Sequence, residues 1–145
     1  MIYKFRLLGG GEQPFYRDFQ LKENHTFLDF HKAIQEELGY DKNQMASFFL
    51  ANSKWEKGLE INLFDMTEDS FTPVIIMEQT ELNELINEEK QRLLYQFDFF
   101  SDRAFYIELK SIIPADKNKT YPECTGGEGN PPAQIIIGDT NLPDL

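Results

Sequence analysis

The chain has 145 residues, 41% hydrophobic and 14% aromatic with 13 Phe, which excludes a disordered chain and suffices for one domain with a phenylalanine-rich core. Its net charge of −11, from 25 acidic against 14 basic residues, opposes binding to a phosphate backbone and favours neutral or basic partners. The single cysteine, Cys124, excludes an internal disulfide and fits a reducing cytoplasm.

Ile2 to Leu8 alternates, with Tyr3, Phe5 and Leu7 on one face and Lys4 and Arg6 on the other, so it reads as a half-buried strand. The opening MIYKFRLL is too short and too alternating for a signal peptide, and no apolar run approaches a membrane span. Gly9-Gly10-Gly11 permits a turn and leads into a second strand, Phe15 to Leu21. Nucleotide-binding glycine loops lead into a helix instead, so a phosphate loop is not expected here. The stretch FYRDFQLKENHTFLDFHKAIQEELG, Phe15 to Gly39, then carries the clearest helix of the chain. Thr26 is the predicted N-cap, Asp29 takes the acidic place of a capping box, and Gly39 suits the left-handed C′ position. Phe27, Phe30, Ile34 and Leu38 recur at helical spacing on one face, while Lys32, Gln35 and Glu36 fall elsewhere. His31 also falls on the apolar face, where a lone histidine reads as a core residue with one hydrogen bond. No second His, Cys or carboxylate stands at metal-ligand spacing from it.

Met45 to Leu50 reads as a short buried strand, followed by a polar stretch around Trp55 that reads as the closed edge of a core rather than a ligand platform. Residues 56–89 hold ten carboxylates and one basic residue, Lys57. Asp65, Glu68 and Asp69 cluster there without the spacing or central glycine of a calcium loop, so a solvated acidic surface is expected. Val74 to Met77 reads as a short strand and Glu81 to Glu89 as a short helix with Leu82, Leu85 and Ile86 inward. Leu93 to Phe99 and Ala104 to Ile113 alternate around a Ser101-Asp102-Arg103 turn, forming a second hairpin whose aromatic density places it at the centre of a sheet. From Pro114 the character changes. Tyr121 to Gln134, YPECTGGEGNPPAQ, is rich in glycine and proline, which argues against helix and central strand. The expected organisation is one α+β domain over 1–113, a Gly/Pro-rich loop over 114–134 docked on it, and a flexible acidic tail over 135–145 containing the apolar island Ile135-Ile136-Ile137.

The order hairpin, capped helix, strand and later strands is that of a β-grasp-like, two-layer domain: a mixed sheet holding both hairpins, with one main packed helix. Phe5, Phe19, Phe30, Ile34, Phe97 and Ile107 are its expected core. Three stretches carry a closer resemblance. Phe27 to Gln35, with His31 and Gln35, resembles an "hxxLH-x-x-I-Q" helix; Tyr95 to Phe99, with Tyr95 and Asp98, is similar to a "YxYDF" strand; and Tyr121-Pro122-Glu123-Cys124, followed by Gly127 and Pro132, is similar to "YPxCxxGxGxxPPE". Together they resemble the plasmid pRiA4b ORF-3-like family, also labelled as passenger proteins of insertion elements. Where that family continues with Gly-Asp, then Trp and His, this chain has Phe100-Ser101-Asp102-Arg103-Ala104-Phe105, and Ala133-Gln134 replaces a commonly acidic end. The resemblance implies a compact bacterial α+β domain without recombinase chemistry. The family-motif positions are His31, Gln35, Tyr95, Asp98, Tyr121, Pro122, Cys124, Gly127 and Pro132.

The resulting expectation is a cytoplasmic, non-catalytic protein-interaction module associated with mobile or plasmid-borne elements. No catalytic residue, cofactor or metal is assigned, and its protein partner is unknown. Two alternatives stand beside it. One is an enzyme using His31 with Asp98, Asp102 or Cys124; the other is a nucleic-acid-associated protein, which the charge disfavours.

Overall fold

The computed structural model describes residues 1–65 and 73–136. Strands β1 (Ile2–Leu8) and β2 (Tyr16–Lys22) form the first hairpin, and α1 (Phe27–Leu38) follows. β3 (Ser47–Ala51), β4 (Lys57–Asn62) and the short β5 (Ile75–Ile76) lead to a single turn of 3-10 helix and α2 (Leu82–Leu85). β6 (Arg92–Asp98), β7 (Arg103–Ile113) and β8 (Glu123–Glu128) complete one eight-stranded sheet in the order β5-β4-β3-β6-β7-β1-β2-β8. All neighbours are antiparallel except β4 and β5.

α1 starts and stops for the reasons its sequence dictates. The Thr26 hydroxyl accepts from the Asp29 N–H at 3.1 Å, and the Asp29 carboxylate accepts from the Thr26 N–H at 2.9 Å, which closes the capping box. Gly39 sits at φ 69°, the left-handed region that glycine adopts without strain. The apolar stripe of α1 lies on the sheet face carrying Phe5, Phe19, Phe48 and Ile107, all buried. Phe30 is fully buried among rings, with centroids 4.7 Å from Phe5, 5.4 Å from Phe48 and 5.8 Å from Phe19. All six expected core residues are buried. The N-terminal end of α1 is tied to the 3-10/α2 segment, with the Phe27 N–H donating to Thr80 O and the Leu82 N–H to His25 O.

The mixed α+β architecture is as expected, with both hairpins in one sheet and β6–β7 at its centre. The β-grasp-like order is limited to the opening hairpin and helix; beyond them β1 lies antiparallel to both its neighbours, β2 and β7. Two strands differ from expectation. Residues 57–62, assigned no element in the sequence, form β4 and a third hairpin with β3, because Ile61 pairs with Phe48 and is fully buried. Within Tyr121–Gln134, read as loop, Glu123–Glu128 pairs with β2 as an edge strand. An edge strand makes one ladder instead of two and has no second face to bury, so glycine costs it little. The β3–β4 turn holds Trp55 at φ 63° and sets its ring against Tyr106 (centroids 5.0 Å), with the Arg92 guanidinium 4.6 Å above it. Glu68 and Asp69 of the acidic cluster, Ile137 and the 138–145 tail lie outside the described residues.

Candidate functional site

The first two family motifs meet in the core. Helical periodicity sets His31 and Gln35 one turn apart on α1, on the side facing β6. Both reach the hydroxyl of Tyr95, which is fully buried: His31 Nδ1 lies 2.7 Å from it, and Gln35 Nε2 donates to it at 2.5 Å. Burial, with a smaller push from Lys32, lowers the His31 pKa to about 4, so the ring is neutral at pH 7. Burial raises the Tyr95 pKa, so its proton stays on. With the hydroxyl accepting from Gln35, that proton is donated to His31 Nδ1, which places the ring proton on Nε2. Gln35 is 1% exposed, contrary to its expected place off the apolar stripe. A polar side chain is buried at little cost when its groups are bonded, and here Tyr95 and the C-terminal stretch supply the partners.

That stretch, 132–136, runs as a strap past the end of α1. The Tyr40 hydroxyl donates to the Pro132 carbonyl. The Gln134 side chain accepts from the Asp41 N–H at 2.7 Å, donates to the Asp41 carbonyl at 3.0 Å, and contacts Gln35 Oε1 at 3.5 Å. The Gln134 carbonyl accepts from Arg103 Nη2 at 3.0 Å, and Arg103 forms an ion pair with Asp98 at 2.7 Å while lying over the Phe97 ring. Burial alone would raise the Asp98 pKa, but the Arg103 ion pair and the Ser101 and Phe100 N–H groups outweigh it and lower the value. Burial pushes Tyr40 up to about 12 against the pull of Arg103. A continuous polar chain thus links the His31–Tyr95–Gln35 cluster to Asp98.

The other motif positions have separate surroundings. The Tyr121 hydroxyl accepts from the Asp116 N–H at 3.3 Å, and Pro122 leads into β8. Cys124 is half-buried on β8, and burial raises its thiol pKa, so it is not a thiolate at neutral pH. Gly127 has no room for a Cβ, because Arg17 and the Tyr16 carbonyl occupy that space. Arg17 crosses there to donate to the Glu128 and Gly129 carbonyls, at 3.0 and 2.9 Å. Of the residues considered for catalysis, Asp98 is held by Arg103, Asp102 bonds Lys57 and Gln96, and Cys124 contacts the Gly126 carbonyl. None of the three is a hydrogen-bond partner of His31 among the described residues. No group of three or more His, Cys, Asp or Glu side chains that could hold a metal ion occurs among the described residues.

At the outer end of the strap a groove of about 860 Å³ opens between the β6–β7 turn, the ends of β3 and β4, and the strap itself. Its apolar wall is Met45, Phe97, Phe99, Phe100, Ile135 and Ile136. Phe100 is fully exposed, and Phe99, Ile135 and Ile136 are about half exposed. Glu60 and Asp98 are its charged members, and no Lys or Arg lines it among the described residues. Phe99 and Phe100 went unrecognised as site residues in the sequence. Their one signal was two adjacent phenylalanines where strand alternation breaks before a polar turn.

No helix among the described residues is long and apolar enough to cross a membrane. No curated protein matches the chain. Among solved structures it is similar to the crystal structure of a protein of unknown function, MM3350, from Methanosarcina mazei Go1, at 28% sequence identity and a TM-score of 0.71, covering 87% of this chain and 68% of that one. A profile of plasmid pRiA4b ORF-3-like proteins matches residues 2–139, spanning all three motifs. The chain therefore belongs to the plasmid pRiA4b ORF-3-like family.

Proposed function

We propose that the chain is a non-catalytic interaction module that takes an apolar, Lys/Arg-bearing polypeptide segment into the groove at the β6–β7 turn. The observation that carries the reading is the rim: Phe100, fully exposed, stands beside Phe99, Met45, Ile135 and Ile136 over about 860 Å³. Apolar side chains gathered at one concave place, with a few polar groups between them, are what a binding surface requires. Charge complementarity supports a basic occupant, since Glu60 lines the groove with no Lys or Arg partner among the described residues and the whole chain carries −11. His31, Asp98, Asp102 and Cys124 each have separate partners, and that separation favours binding over catalysis. In this reading residues 114–134 belong to the same folding unit as 1–113, because the strap supplies one groove wall. The cytoplasm is the proposed location, on the strength of the lone Cys124. The link to mobile elements rests on the family name.

The test is selection from a displayed library of random peptides of about twelve residues. Enriched peptides are expected to combine apolar side chains with Lys or Arg and to bind at roughly micromolar Kd. A Phe99→Ser/Phe100→Ser variant should weaken that binding at least about tenfold while leaving the urea midpoint unchanged, since both side chains are exposed. Selection of acidic peptides, or binding that survives the double variant, would overturn the reading.

A further inference from the structure

The opposite face of the sheet, away from α1, holds a second recess, built by two β-bulges. On β7 the pairing passes from Lys4↔Ser111 to Phe5↔Leu109, which leaves Lys110 as an extra residue. On β8 it passes from Asp18↔Gly126 to Phe19↔Cys124, which leaves Thr125 extra. Phe5 pairs with Phe19, so the two bulges lie at one level of the sheet, on either flank of the β1–β2 pair. A bulge bends its strand and re-aims the side chains at the extra position, and bulges recur beside binding sites. Here Lys110 and Ser111 form one bank and Thr125 the other, with Lys4, Arg6 and Asp18 between them, around about 290 Å³.

The charge of this recess has the opposite sign to that of the chain. Three cations line it against one carboxylate, whereas the chain carries −11. Asp18 is fully engaged by Arg6, which donates from Nε at 2.8 Å and from Nη2 at 3.0 Å and lies over the Tyr16 ring at 4.4 Å. Arg6 is thus a fixed floor. Lys110 reaches only Glu108, at 3.6 Å, and Lys4 has no carboxylate within ion-pair distance among the described residues. The Lys4 ammonium, the Lys110 ammonium in its one long ion pair, and two hydroxyls therefore face one small volume from several directions. That donor set suits a tetrahedral oxyanion, whose oxygens each accept charge-assisted bonds.

We propose that the recess between the two bulges is an anion site for a single phosphate group, with Lys4 and Lys110 supplying charge and Ser111 and Thr125 supplying hydroxyl donors. The site is independent of the groove. It suits a small phosphate-bearing molecule, because about 290 Å³ lined by three cations has room and charge for a single phosphate group.

The test is an amide NMR titration of the full chain with inorganic phosphate, and separately with glycerol phosphate, at an ionic strength held constant with chloride. Amides of Lys4, Arg6, Lys110, Ser111 and Thr125 should shift together and saturate at roughly millimolar phosphate. A Lys4→Gln/Lys110→Gln variant should weaken the apparent Kd at least about tenfold, with its thermal melt unchanged because both changes lie on the solvent face. Glycerol phosphate binding at least as tightly as phosphate assigns a phosphomonoester; phosphate bound with the ester rejected assigns the free ion. Shifts that never saturate, that centre elsewhere, or that persist in the variant overturn the site.

Discussion

Lowering the pH should weaken this fold through His31. The side chain is 2% exposed, its Nδ1 accepts from the Tyr95 hydroxyl, and its pKa is lowered to about 4. In the unfolded chain the same imidazole titrates near its ordinary value of about 6.5. As pH falls from that value, the unfolded state gains a proton that the folded state refuses, so stability falls with pH until the folded pKa is reached. At about 1.4 kcal/mol per pH unit, the two and a half units between the values correspond to about 3 kcal/mol in full. About 2 kcal/mol of that should be lost between roughly pH 7.5 and pH 5, above most carboxylate titration. The comparison is a His31→Gln variant, whose amide oxygen can still accept from Tyr95 but takes no proton. Urea melts of both proteins at the two pH values give the difference directly. His25, whose pKa burial also lowers, is present in both and cancels. The wild type should lose about 2 kcal/mol more than the variant over that range. Equal losses, or an NMR titration placing the folded His31 near the unfolded value, would refute the reasoning.

Phe30→Ala should cost about 3–5 kcal/mol in urea melts, because three aromatic neighbours cannot close over the vacated ring; a loss under about 1 kcal/mol would contradict the packing. Tyr95→Phe keeps the ring but leaves His31 and Gln35 without their shared partner, for an expected loss of about 1–3 kcal/mol by the same melts. Gly127→Ala should destabilise the chain and speed amide exchange along β8, since the new methyl must displace Arg17 from the carbonyls it bridges; unchanged exchange would mean that β8 has slack there. Mobility-shift titration with DNA and RNA at low salt should show no binding at micromolar concentrations, because counterion release needs many Lys and Arg contacts along the backbone, and the recess of Lys4, Arg6 and Lys110 on a chain of net charge −11 has room for a single phosphate.

Local chemistry was enough to define the centre of the molecule. Thr26, Asp29 and Gly39 mark the ends of α1 by interactions within a few residues, so α1 and its caps are legible without knowing what the helix packs on. Alternation in β1 and β7 assigns inward faces because a strand with one buried face must repeat every second residue, whereas β6 is buried on both faces from Leu93 to Asp98. The candidate sites were not legible in this way. Gln35 is buried because Gln134, 99 positions away, and Tyr95, 60 away, arrive to bond it, and no local pattern encodes such a meeting. β8 lacks alternation because an edge strand made largely of small residues draws its pairing from β2. The groove depends on the strap passing the β6–β7 turn, and the basic recess on two bulges meeting at one level. The family motifs showed which residues belong together, as His31, Gln35 and Tyr95 do. Only the tertiary structure decided that they form a buried polar cluster, and that the open surfaces lie elsewhere, because burial and charge neighbourhood belong to the assembled sheet and not to any one segment.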